Sequence, residues 1–346
     1  MTFRNSISIV ILGFVGLLNS QNPKVLFASE DILELTIRVD VKSLVNDREV
    51  RDEHNAILWH LENGELKTQH EIKLVVRGKN RTRTDVCSFP PLTVNFKKKQ
   101  VENSIFEGQN KLKLVSHCKK QNSFKDYIFK EYLIYKLYEE ITEQSLKVRL
   151  CKINWIDKKN PDGQETYYGF LIEDIDDSAE RNGKIEFDKK IGSQQSCNNE
   201  LLEKLTFFQF MIGNLDWSIP HQHNIKLIAD ENGGLPVPIP YDFDASGFVN
   251  APYAVPPGNL SLASIRTRVF WGLCRPDKGY NNTADYYKHN KENFLNIVSE
   301  FSLLSDKAKK STVKYMEGFF EILENEKQFN KKIVRACRAQ HKHLFE

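Results

Sequence analysis

A chain of 346 residues with 40% hydrophobic and 27% charged content holds enough apolar material for one large domain or two lobes, and is too apolar to stay disordered. Its 49 basic and 46 acidic residues leave a net charge of +3, which argues against nucleic acid as a partner held by overall charge. Six cysteines without a C-x-x-C pair argue against a zinc ribbon or a thioredoxin-like motif.

The N-terminus, "MTFRNSISIVILGFVGLLNSQN", has one early Arg, an apolar run from Ile7 to Leu18 and small or polar residues after it. This is the pattern of a secretory signal peptide over residues 1–20, with cleavage after Ser20. The run is short for a bilayer span, although an uncleaved anchor is the alternative. A secreted or periplasmic protein with no stable membrane insertion after cleavage is expected. In that setting an even cysteine count suits disulfides, expected as Cys87 with Cys118 and Cys274 with Cys337; the alternative is buried free thiols.

From Ile32 to about Phe96 the residues alternate as strands do, with a hairpin turn at Glu62-Asn63-Gly64. A basic turn, "VVRGKNRTRT", and another alternating strand follow, then a short strand in "NKLKLV". A helix is predicted from about Ser123, its N-cap, to Ile141. Two strands, "LKVRLCKINWI" and "TYYGFLIED", flank a turn at Asn160-Pro161-Asp162-Gly163. Beyond that "NNELLEKLTFFQFMIGN" is helical, and several amphipathic helices follow from about Tyr286. Strands followed by helices indicate an α+β chain of two lobes, residues 21–175 rich in strand with one long helix and residues 176–346 mostly helical. The boundary is expected between Glu173 and Asp177.

One loop gathers unusual chemistry: "GNLDWSIPHQHN", residues 213–224. The strand "NIKLIAD", the turn "ENGG" and the proline-bearing edge strand "LPVPIPYD" follow it. A symmetric hairpin centred on Asn232-Gly233 sets Asn224 opposite Tyr241 and so beside Asp242, with Asp216 on the loop leading in. Oxygen ligands of this kind suit Mg²⁺ or Mn²⁺, which bridge nucleotide phosphates. A catalytic Asp, a later Asn and a metal-binding Asp after a hairpin are the parts of a kinase-like site. Two other readings stay open: zinc held by His221, His223 and Asp216, and a polar turn without chemistry.

Such a site also needs a strand Lys paired with a helix Glu. Lys111 and Lys113 lie on one strand face. Glu131 sits in the middle of the helix face formed by Phe124, Tyr127, Ile128, Tyr135 and Tyr138, where an unpaired charge is costly. A Lys113–Glu131 ion pair is expected; pairing of Glu131 with an Arg such as Arg149 is the alternative. Arg77, Gly78, Lys79, Arg81 and Arg83 form a basic turn able to close over phosphates, or a merely solvated tip.

Together, "VVRGKNRTRT…FPPLTVNF", "GNLDW…HNIKLI" and "PVPIPYDFDASG" resemble the spore-coat protein H (CotH) kinase-like family, over roughly residues 70 to 250. The "IGNLD…HN" portion is also similar to HipA-type kinases. The resemblance implies a two-lobed protein-kinase-like fold and a secreted enzyme that moves the γ-phosphoryl group of ATP to a protein hydroxyl with Mg²⁺ or Mn²⁺. By that resemblance Asp216 orients or deprotonates the acceptor. Asn224 and Asp242 hold the metal, with Asp244 as a second ligand. Lys113 contacts the phosphates and Glu131 fixes it. The chain has no G-x-G-x-x-G, and "DFD" stands where a typical kinase has "DFG". A kinase-like scaffold without catalysis, binding a partner at the cell envelope, and a metal-dependent hydrolase are the competing functions.

Overall fold

In a computed structural model, which describes residues 24–258, 260–274 and 277–337, the first half of the chain closes into a barrel of seven strands. β1 (Leu33–Val39) leads through the short helix α1 (Val41–Asn46) to β2 (His54–Glu62) and β3 (Glu65–Val76). β4 (Leu92–Phe96) and β5 (Lys111–Val115) continue the meander, then helix α2 (Lys125–Glu139) precedes the long hairpin of β6 (Val148–Asp157) and β7 (Asn160–Ile172). Alternation builds the interior. Leu33, Leu35, Ile37 and Val39 of β1 and Cys151, Ile153 and Trp155 of β6 face one shared core with residues of β2 to β5. The β2–β3 turn falls where expected, with Asn63 and Gly64 both at positive φ (53° and 79°), as a tight two-residue hairpin requires.

After β7 come α3 (Ile175–Arg181), the two-residue β8 (Ile185–Glu186) and α4 (Asn199–Ile212). The hairpin β9 (Ile225–Ala229) and β10 (Val237–Pro240) follows, then α5 (Asp277–His289), α6 (Lys291–Ser299), α7 (Asp306–Glu324) and α8 (Glu326–Phe329). α2 belongs to this half's core. Its Ile128, Phe129, Leu133 and Tyr135 are buried with Phe208 and Met211 of α4 and with Val148, Leu150, Phe170 and Ile172 of the hairpin β6–β7.

The expected two-lobed kinase-like fold is corrected by this barrel. β1 pairs antiparallel with β2 (Thr36 opposite Trp59) and parallel with β6 (Leu35 opposite Ile153), and the second pairing closes the sheet. An alternating strand reads the same in an open sheet and in a barrel. Closure rests on two strands that four others and two helices separate in the chain, and no local pattern announces it.

Smaller corrections have local causes. Ser123 does not cap α2: it lies inside a 3₁₀ turn, Asn122–Phe124, that runs straight into the helix, whose N-cap position is Phe124 with no side-chain cap. The turn between β6 and β7 is Lys158-Lys159, and Asn160-Pro161-Asp162-Gly163 opens β7, since Asp157 pairs with Asn160 and the ladder overrides turn propensity. Cys87–Cys118 and Cys274–Cys337 form the two expected disulfides, with Cα–Cα separations of 4.6 and 5.1 Å, while Cys151 and Cys197 are buried thiols. Two such bridges fit an oxidising, extracellular setting. Among the described residues no helix is long and apolar enough to cross a membrane. The expected signal segment, residues 1–20, lies outside the described residues.

Candidate functional site

Helix α4 ends on Gly213, left-handed at φ 62°, and a Cβ there would meet the Tyr315 Oη at 2.0 Å. The chain therefore turns sharply, and the Asn214 side chain accepts from the Asp216 amide at 3.0 Å, which sets the direction of the loop. Ser218 and His223 exchange backbone hydrogen bonds of 2.9 and 2.8 Å, so the loop folds back on itself. Asn224 then lies beside Asp216: its Nδ2 donates to the Asp216 carbonyl (2.8 Å) and to Oδ2 of the carboxylate (3.1 Å). The β9–β10 register is the expected one, with Ile225 opposite Pro240, and the Tyr241 amide donates to the Asn224 carbonyl at 3.1 Å. Asp242 follows at once. Its amide donates to the buried Tyr135 hydroxyl at 3.0 Å.

Asn224 and Asp242 both sit at positive φ, 52° and 60°. Side chains with a Cβ adopt this region at a cost of about 1 kcal/mol, and such residues gather where a site holds them in place. Both are residues that the sequence singles out as oxygen ligands.

Arg81 is the residue whose place differs most from expectation. It comes from the turn between β3 and β4, yet its guanidinium is buried, 3.1 Å from Glu131, 3.6 Å from Asp242 and 2.9 Å (through Nε) from Asp244. Glu131 therefore pairs with Arg81, and neither with Lys113 nor with Arg149, which donates instead to the carbonyls of Leu26 and Ser29. Burial pushes the Glu131 and Asp244 carboxyls upward, Asp244 to about 6, and Arg81 opposes the push at both. Three acids around one arginine require that cation, so Arg81 is a fixed counter-charge and no phosphate lid. Asp244 is correspondingly engaged and is not free to act as a second metal ligand. Lys79 stays exposed at the tip of the turn. Arg77 is partly buried, with its Nε donating to the Leu92 carbonyl at 3.1 Å.

Lys113 projects from β5 with its Nζ 4.6 Å from the centre of the Tyr241 ring, and no described carboxylate lies within ion-pair reach of it. Burial, then the nearby Arg77 and Lys226, lower its pKa to about 8, while Asp174 and Asp242 pull the other way. A partly desolvated cation beside Asp242 is thus available to an incoming anion.

The histidines divide between two partners. His223 Nε2 lies 2.7 Å from Asp216 Oδ1, and His221 Nδ1 lies 3.0 Å from the Ser218 hydroxyl. Among the described residues no three His, Cys, Asp or Glu side chains are grouped to hold a metal, which counts against the zinc reading. The oxygen donors that remain for a hard cation are Asp242 and Asn224. Two protein ligands are what Mg²⁺ takes when phosphates and water fill the rest of its shell, so the pair fits such an ion. Asp216, about half exposed at its carboxylate, opens onto a cleft of about 730 Å³ shared with Asn80, Arg83, Lys119 and Tyr253.

Two contributors escape a reading of the sequence. Tyr135 shares the helix face of Glu131 four residues on, so its position was visible, although not its bond to Asp242. Tyr253, near enough to Asp244 to favour its ionised form, sits in an irregular segment with no periodic signal. Compared with known protein families and with curated proteins, the chain matches none of them.

Proposed function

We propose that this chain is an exported phosphotransferase that moves the γ-phosphoryl group of ATP to a protein hydroxyl in a Mg²⁺- or Mn²⁺-dependent reaction. One observation carries the reading: the hydrogen-bonded pair Asp216–Asn224 and the neighbouring Asp242 meet at one end of a hairpin, beside the cations Lys113 and Arg77. Asp242 and Asn224 are the residues that would hold the metal, which would supply charge neutralisation at the phosphates. Lys113 and Arg77 would bind phosphate oxygens, as a point charge and a fork respectively. Asp216 faces the cleft, and its carboxylate, held by Asn224 and His223, would align the acceptor hydroxyl and take its proton. Arg81 keeps Glu131, Asp242 and Asp244 together without touching the reactants.

A second reading, a binding module without catalysis, is favoured by one fact: Arg81 already neutralises part of the acidic cluster. Labelled ATP, Mg²⁺ or Mn²⁺ and a protein extract separate the two. The wild type is expected to label protein, and Asp242→Ala to lose both labelling and metal-dependent nucleotide binding. Asp216→Asn is expected to keep nucleotide binding and to lose about 100-fold or more in transfer rate. A wild type that neither labels protein nor binds nucleotide in the presence of metal refutes the enzyme. Phosphate release with no protein labelled means a hydrolase.

A further inference from the structure

The cleft that Asp216 faces is lined by two segments to which the proposed reaction gives no role. The first is the irregular stretch from Pro252 to Gly258, which brings Val255, Pro256 and Pro257 to the cleft in succession. Val255 is 74% exposed, whereas Leu215 and Ile265 of the same cleft are buried. A single exposed apolar side chain is ordinary. Three in a row, on a cleft that also holds an accessible carboxylate, form a small apolar shelf that a ligand gains by covering.

The second segment carries Lys119, next to the disulfide residue Cys118. Its Nζ lies at the surface, donates to the Asp85 carbonyl at 3.4 Å and stands 5.5 Å from the centre of the Phe124 ring. The other charges on the cleft have partners. Arg83 holds the Asp85 carboxylate through Nε at 3.2 Å and Nη2 at 2.7 Å. The Asp216 carboxylate accepts from Asn224 and lies 2.7 Å from His223 Nε2. Lys119 reaches the Asp85 carboxylate only from beyond ion-pair distance, and no other described carboxylate is closer. Its ammonium is thus held in place by a carbonyl and a ring, with its charge unmatched.

We propose that the cleft takes an extended polypeptide segment in which a large apolar residue and an acidic residue stand near a hydroxyl-bearing one. The apolar side chain covers Val255, Pro256 and Pro257, and the carboxylate pairs with Lys119. A ligand that matches this cleft presents a hydroxyl, an apolar group and a carboxylate at separate points, and neighbouring side chains of one chain do so. The cleft, about 730 Å³, has room for several residues. That this segment carries the acceptor hydroxyl rests on the phosphotransferase reading of Asp216; the binding preference does not.

The test uses the full oxidised chain with Mg²⁺ and three pools of short fluorescent peptides, each peptide with one central Ser. Flanks are drawn from Leu, Glu and Ala in the first pool, from Leu, Lys and Ala in the second, and from Asn, Glu and Ala in the third. By fluorescence anisotropy the first pool is expected to bind about fivefold tighter than the second and about tenfold tighter than the third. Lys119→Glu is expected to reverse the order of the first two pools, and Val255→Ser to bring the first and third together. Neither change buries a charge or opens a core cavity, so both variants are expected to fold. Pools that bind alike, or a preference that neither variant moves, overturn the proposal. Displacement of the first pool by an equal concentration of octanoate makes the occupant a small amphiphile and overturns it too. Should either variant lose its fold, the order of the three pools on the wild type decides. Labelled ATP, added in parallel, separates recognition from chemistry. A preferred pool that is never phosphorylated upholds the recognition and refutes the transfer. Labelled extract proteins, with pools that bind alike, overturn the recognition and leave the transferase standing.

Discussion

Arg81 and Lys113 illustrate how charge is placed in this molecule. Both come from the strand-rich first half of the chain, yet Arg81 is enclosed by three carboxylates and Lys113 lies beside an aromatic ring and two other cations. Arg81 stabilises what surrounds it, whereas Lys113 is held at a cost. Below pH 8 the folded state carries Lys113 charged and partly desolvated. As pH rises from about 8 towards the ordinary lysine value of 10.5, the folded lysine is neutral while the unfolded one is still charged, so the penalty fades and stability rises. Lys113→Met is therefore expected to raise stability at pH 7 by about 2 kcal/mol and to abolish the rise above pH 8, while weakening nucleotide binding. Urea unfolding at several pH values checks the first part. A destabilised Lys113→Met would mean that the ammonium has a partner on folding.

Among the elements, the hairpin β9–β10 was the most legible. Asn232-Gly233 marks its centre and a short apolar run stands on either side, so its register, and with it the meeting of Asn224 and Asp242, follows from local rules. The same rules failed at Asn160–Gly163, where pairing along a long two-stranded ladder decided the turn, and at Ser123, where an extra 3₁₀ turn displaced the cap. The turn out of α4 joins a legible element to the site. Gly213→Ala places a methyl group against Tyr315 in a left-handed conformation, and is expected to cost about 2 kcal/mol or more and to misdirect Asp216. A lowered melting temperature together with lost transfer, but with the barrel's circular dichroism intact, is the expected pattern. A fully stable variant would show that the helix end can relax.

At the scale of the whole molecule, two cores and two disulfides tie the architecture together. Cys87–Cys118 joins the turn that carries Arg81 to the segment after β5, and its neighbours Val86 and Lys119 line the cleft of Asp216. Replacing both cysteines by Ala is expected to cost about 3 kcal/mol and to loosen that cleft wall. Denaturant unfolding of the variant and of the reduced wild type measures it; equal stability with and without the bridge would show that the turn is held by Arg81 alone. The Cys274–Cys337 bridge belongs to the helical half and leaves the cleft untouched.

By itself the sequence determined most of the strands and helices, the hairpin register and the company of Asp216, Asn224 and Asp242. All of these rest on period, turn chemistry or residues near one another in the chain. Only the tertiary structure decided that the strands close into a barrel and that Glu131 takes Arg81 as its partner. Only there did Lys119 and Val255 prove to line one cleft with Asp216. Each of these unites distant segments through pairing or burial, and a buried acid accepts whichever cation the folded chain brings within reach.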